Sequence, residues 1–150
     1  MTSELIKKLI EKKYNHENGQ YIVFDELRNG TGYGKIVTGS IDVFVLNTYP
    51  SKQFQRMAFE IKVSRSDFLR EIKNPNKRRF AMAMSNEFYF VAPKGLLKNS
   101  DIPLNCGLME VITYKENHHI KTVVPAIWRD NMPPSWSFVA SICRRVKLRK

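Results

Sequence analysis

The stretch RMAFEIKVSRSDFLREIK, residues 56–73, constrains the fold more than any other part of the chain. Its first eight residues alternate with the period of a β-strand. Met57, Phe59, Ile61 and Val63 fall on one side, and Arg56, Ala58, Glu60 and Lys62 on the other. Ser64 follows, with Asp67 three positions later, the capping-box pattern that starts a helix. Phe68, Leu69 and Ile72 supply that helix with an apolar stripe. A strand passing directly into such a helix implies a sheet covered by helices. Residues two apart on a strand point the same way, so Glu60 and Lys62 share a face. A half-exposed edge strand with a surface Glu–Lys pair explains that spacing as readily as a reactive site does. The choice depends on the rest of the chain.

Upstream, SELIKKLIEKKY reads as an amphipathic helix with Leu5, Ile6, Leu9 and Ile10 on its apolar face, better suited to core packing than to a membrane surface. YIVFDELR and IVTGSIDVFVL read as strands, joined through the glycine-rich NGTGYGK as a flexible hairpin connection. Downstream, Asn74 and Pro75 mark the start of a second helix running to about Ser85. EFYFVAP, GLMEVITY and IKTVVPA are further strands, the last two joined around KENHH. SWSFVASICRRVKLRK is a C-terminal helix with a basic tail. The order predicts one α/β domain over residues 1–150, an α+β sandwich whose central mixed sheet is flanked by helices.

Composition narrows the partners. The 150 residues carry 25 Lys and Arg against 14 Asp and Glu, a net charge of +11, which favours polyanions, nucleic acid first. No apolar run approaches a membrane span, and the N-terminus lacks the pattern of a signal peptide. Cys106 and Cys143 form no C-x-x-C, so two buried thiols in a reducing cytoplasm are expected.

The strand before Glu60 offers one acid, Asp42. Ile41, Val43 and Val45 alternate away from it, so it projects with Phe44 and Leu46. An acid on so apolar a strand is costly unless paired or metal-bound. If the two strands are neighbours, Asp42 and Glu60 converge beside Lys62. Ile61 points into the core but leaves its backbone carbonyl as an oxygen ligand. Hard carboxylate oxygens suit Mg²⁺ or Mn²⁺, which acidify water and polarise a phosphoryl oxygen, while a nearby ammonium neutralises developing charge.

This D…E-x-K arrangement, with a glycine-containing hairpin before it and a capped helix after it, resembles the PD-(D/E)XK nuclease superfamily. FEIKVSRSDFLREIKNPNKRR, followed by NEFYFVAPKGLL and CGLMEV, is more closely similar to small bacterial and phage proteins grouped with the MmcB-like DNA-repair nucleases. The resemblance covers residues 20–113. It implies a restriction-endonuclease-like core and a Mg²⁺- or Mn²⁺-dependent DNA endonuclease of repair or recombination, in the cytoplasm of a bacterial cell or phage-infected host. It implies metal-binding roles for Asp42 and Glu60 and a water-assisting role for Lys62. An earlier acid often completes such sites; Glu26 is the matching candidate and Asp25 its rival. Ile41 stands where the motif's literal form has proline.

Ser64 and Arg65 match the family block as DNA contacts, although capping alone explains the serine. Lys73, Lys77, Arg78 and Arg79 are candidates for a phosphate-contacting ridge, or simply a solvated helix face. A homodimer and other repair or recombination proteins are further expected partners. Two rival readings are a non-catalytic nucleic-acid-binding protein of the same fold and an RNA-binding, ribosome-associated basic protein.

Overall fold

The computed structural model describes residues 1–15, 17–31 and 39–148. The elements run α1 (Ser3–Tyr14), β1 (Tyr21–Arg28), β2 (Ser40–Asn47), β3 (Arg56–Ile61), α2 (Arg65–Ile72), α3 (Arg79–Met84), β4 (Glu87–Pro93), β5 (Cys106–Tyr114), β6 (Asn117–Val124) and α4 (Trp136–Leu148). Residues 32–38, which include most of the expected glycine-rich connection and the first three residues of the expected second strand, lie outside the described residues.

All six strands form one mixed sheet in chain order, β1 to β6. β1, β2 and β3 pair antiparallel, β4 joins β3 and β5 in parallel, and β6 closes antiparallel on β5. The parallel β3–β4 pair requires a crossover, which α2 and α3 supply. β3 is therefore an interior strand, which removes the half-exposed edge-strand explanation of Glu60 and Lys62.

Both faces of the sheet are buried. Ile6, Ile10 and Tyr14 of α1 pack with Val43, Val45, Met57 and Phe59 on one face. Phe68, Ala81 and Phe138, from α2, α3 and α4, pack with Phe44, Ala58, Phe88 and Phe90 on the other. The core-packing reading of the first helix is correct, and Thr2 caps it by accepting the Leu5 N–H at 3.2 Å. Among the described residues no helix is long and apolar enough to cross a membrane.

Several local expectations change. Ile41 joins Phe44 in the core on the α2 side, whereas Val43 and Val45 pack on the α1 side, so alternation breaks at Asp42. Opposite that break, Glu26 sits within β1 at φ 50, a left-handed conformation that costs a non-glycine residue about 1–2 kcal/mol. Leu69 is exposed, and Glu71 takes the buried place beside Phe68. The second helix is split into a 3₁₀ turn, Pro75–Arg78, and α3, and Asn74 makes no side-chain cap. Cys106 is buried, but Cys143 is exposed on α4.

Ser64 does cap α2, accepting the Asp67 N–H at 3.4 Å. Phe68 anchors the helix, fully buried with its ring edge-on to Phe90 at 5.2 Å. Phe68→Ala should cost about 3–5 kcal/mol through lost burial and the cavity left behind. Urea unfolding checks this, and a loss under about 1 kcal/mol would mean α2 is held by other contacts.

Candidate active site

The pairing of β1, β2 and β3 sets three acids in a row. Asp25 and Leu27 face Val43 and Ile41, so Glu26 lies across from Asp42 between them. On the other side Val43 pairs with Phe59, and one step further brings Asp42 level with Glu60. Asp42 is fastened there: its Oδ2 accepts the Ile61 N–H at 2.9 Å. Glu26, Asp42, Glu60, Ile61 and Lys62 all line one cavity of about 560 Å³, walled by α1 through Lys7 and by α2 through Glu71.

β3 ends at Ile61, and Lys62 lies just beyond it. The Lys62 N–H continues the pairing by donating to the Val91 carbonyl at 2.9 Å. Its side chain is 6% exposed and its Nζ lies 3.2 Å from Glu60 Oε1 and 2.8 Å from Glu71 Oε1. Glu71 is 1% exposed, and Lys77 and Arg78 each approach it at 3.7 Å. Neither Glu71 oxygen makes a well-aligned hydrogen bond, so these contacts act as charge pairs. Burial works against the charged form of Lys62, but the Glu71 and Glu60 carboxylates outweigh it and hold the pKa above the usual lysine value.

The acids carry the opposite burden. Burial, then the charges of Asp42 and Glu71, push Glu60 up to about 8. Burial also raises Asp42, against the Ile61 hydrogen bond and the nearby lysines. Burial thus disfavours the charged forms of two adjacent carboxylates. Such a pair is a set of hard oxygen donors suited to a divalent cation.

Glu26 is placed differently. It lines the same cavity, which Asp25 does not, but its carboxylate is 65% exposed and bound to Lys7 Nζ at 2.8 Å. That hydrogen bond holds Glu26 below the usual glutamate range. Among the described residues no three His, Cys, Asp or Glu side chains form a group that could hold a metal ion. The structure therefore brings together Asp42, Glu60 and Lys62, with Ile61 as a backbone neighbour and Glu26 at the rim.

The expected DNA contacts separate. Ser64 caps α2 and shares a hydrogen bond with Ser66 at 2.7 Å. Arg65 turns away to Asp101 at 3.0 Å and to the Leu96 carbonyl at 3.4 Å. Arg78 is 8% exposed, against Glu71 and over the Phe90 ring, so it serves the interior and not a solvent-facing ridge. Lys73, Lys77 and Arg79 remain exposed. Glu71 was not anticipated. Its position three residues after Phe68, on the same helical face, is the signal that could have found it.

Because Glu60 binds its proton more tightly when folded, its favourable contribution is complete below its ordinary value of 4.5 and is lost as pH rises towards 8. In EDTA, Glu60→Gln should match the wild type at pH 5 and exceed it in thermal stability at pH 8.5, by on the order of a few kcal/mol. Equal melting temperatures at both pH values would contradict this electrostatic account.

No protein-family model, curated protein or solved structure matches the chain.

Proposed function

We propose that this chain is a Mg²⁺- or Mn²⁺-dependent nuclease with a restriction-endonuclease-like core, hydrolysing DNA phosphodiesters in repair or recombination. One observation carries the reading. Asp42, held on the Ile61 N–H at 2.9 Å, and Glu60, paired with a buried Lys62 at 3.2 Å, open into one cavity of a strongly basic protein. Asp42 and Glu60 would hold the cation, with the Ile61 carbonyl and Glu26 as the further expected oxygen donors. When bound, the ion supplies Lewis acidity to water and to the phosphoryl oxygen.

The chain's own groups do the rest. Lys62, kept as an ammonium between Glu60 and Glu71, orients the attacking water and offsets negative charge developing on the phosphate. The water oxygen forms the new P–O bond as the strand's P–O bond breaks, and the departing oxygen takes up a proton. Burial and mutual repulsion hold protons on Asp42 and Glu60, so a bound cation would displace them and its affinity should rise with pH.

The rival reading is binding without cleavage by a protein of the same fold. It is favoured by the Glu26–Lys7 pair, which leaves two carboxylates and not three at the centre.

Incubation with single-stranded, duplex and branched DNA plus Mg²⁺ or Mn²⁺ distinguishes the two. Cleavage should vanish in EDTA, and Asp42→Asn, Glu60→Gln and Lys62→Ala should each lower it by about 10²-fold or more. Lys62→Ala should still bind Mn²⁺ by calorimetry, since its ammonium is no ligand. Wild-type cleavage by Glu60→Gln would refute the mechanism, and DNA binding without any cutting would favour the rival.

A further inference from the structure

A second cavity, of about 490 Å³, opens on the other side of the acid row beneath α4. It shares Glu26 and Asp42 with the first cavity, so the two adjoin at the acid row, beside the ends of β1 and β2. Its cations are Arg28, Arg144 and Arg145, and Thr31, Ser40 and Ser141 add hydroxyl groups to its lining.

The two arms differ in how their charge is spent. In the first, Lys7 is bound to Glu26, Lys62 to Glu60 and Glu71, Arg70 to Asp67, and Lys77 approaches Glu71. Beneath α4, Arg144 donates to the Thr31 carbonyl at 3.4 Å. Arg145 donates to the carbonyls of Asp25 at 2.7 Å and Glu26 at 3.4 Å. Carbonyls orient a guanidinium without cancelling its charge. Among the described residues no carboxylate forms a salt bridge with Arg28, Arg144 or Arg145. Arg28 and Arg144 are also exposed.

We infer that this α4 arm is the track for the DNA backbone, seating the phosphates next to the one that reaches Asp42 and Glu60. A polyanion with evenly spaced phosphates matches a groove whose free positive charge lies to one side of its acids. The acids repel phosphate, so affinity must come from the cations beside them. This replaces the α2–α3 ridge as the principal binding surface, and it rests on the proposed reading for the identity of the polyanion.

The test is fluorescence anisotropy with labelled single-stranded and duplex DNA, in EDTA, across a salt series. The pair Arg28→Ala with Arg144→Ala should weaken binding and make the salt dependence shallower by about 2 in log–log slope. Replacing both by lysine should restore the slope. Should the alanine pair lose its fold, Ser40→Lys serves instead: it adds a cation at an exposed position of the groove and should steepen the slope by about 1. A wild-type slope in a folded alanine pair, an unaltered slope in Ser40→Lys, or loss only in Lys77→Ala with Arg79→Ala would overturn the inference. So would a wild-type protein that binds neither DNA. A protein that shows these slopes but never cuts retains the track and loses the nuclease reading. One that cuts while ignoring Arg28 and Arg144 does the reverse.

Discussion

The buried ammonium of Lys62 is the interaction on which the arrangement of this site depends. It stands at the end of β3, within reach of Glu60 on its own strand and Glu71 on the helix that follows. Removing the ammonium would leave the Glu60 and Glu71 carboxylates facing each other without compensation, a change that typically costs about 3–5 kcal/mol. An apolar replacement of the whole group would serve stability equally well or better. The buried group also fixes the orientation of α2, since Glu71 can reach Lys62 only with Phe68 seated on the sheet.

Most of the scaffold was legible in the sequence because it follows local rules. The alternation of Met57, Phe59 and Ile61 with Arg56, Ala58 and Glu60 and the Ser64 cap each follow a nearest-neighbour preference and appear where expected. β3 nevertheless ends at Ile61, Val63 is exposed, and Pro75 opens a 3₁₀ turn in place of the expected helix. The convergence of Asp42 and Glu60 was also legible, because it needed only two strands to be neighbours. What escaped was set by tertiary contact. Glu71 is drawn inside by Lys62, 2.8 Å away, and Leu69 is left exposed. Arg78 went inside for the same reason. The break in alternation at Ile41 follows from a left-handed backbone at Glu26, a residue type that gives no local hint of that conformation.

Glu26 shows how two demands meet at one position. Its strained backbone re-aims the strand beside Asp42, as is common at functional sites. Its carboxylate is meanwhile turned to Lys7, so α1 becomes a wall of the cavity as well as a lid on the core. The first helix is thus joined to the candidate site by one ion pair, and to the fold by Ile6 and Ile10.

Among the described residues the strand order repeats the chain order, so β1 and β6 are the outermost strands of the sheet. A free margin offers unpaired backbone groups to any passing strand, a hazard for a protein rich in apolar β-segments. Arg145 answers that hazard at β1, where its guanidinium occupies the carbonyls of Asp25 and Glu26, and the irregular backbone at Glu26 spoils the flat edge that a second copy would need. β6 is guarded more simply, by the exposed, charged Lys121 near its middle. The cover on the β1 margin therefore comes partly from C-terminal residues, and a chain shortened before α4 would lose both that cover and the Phe138 packing on the sheet.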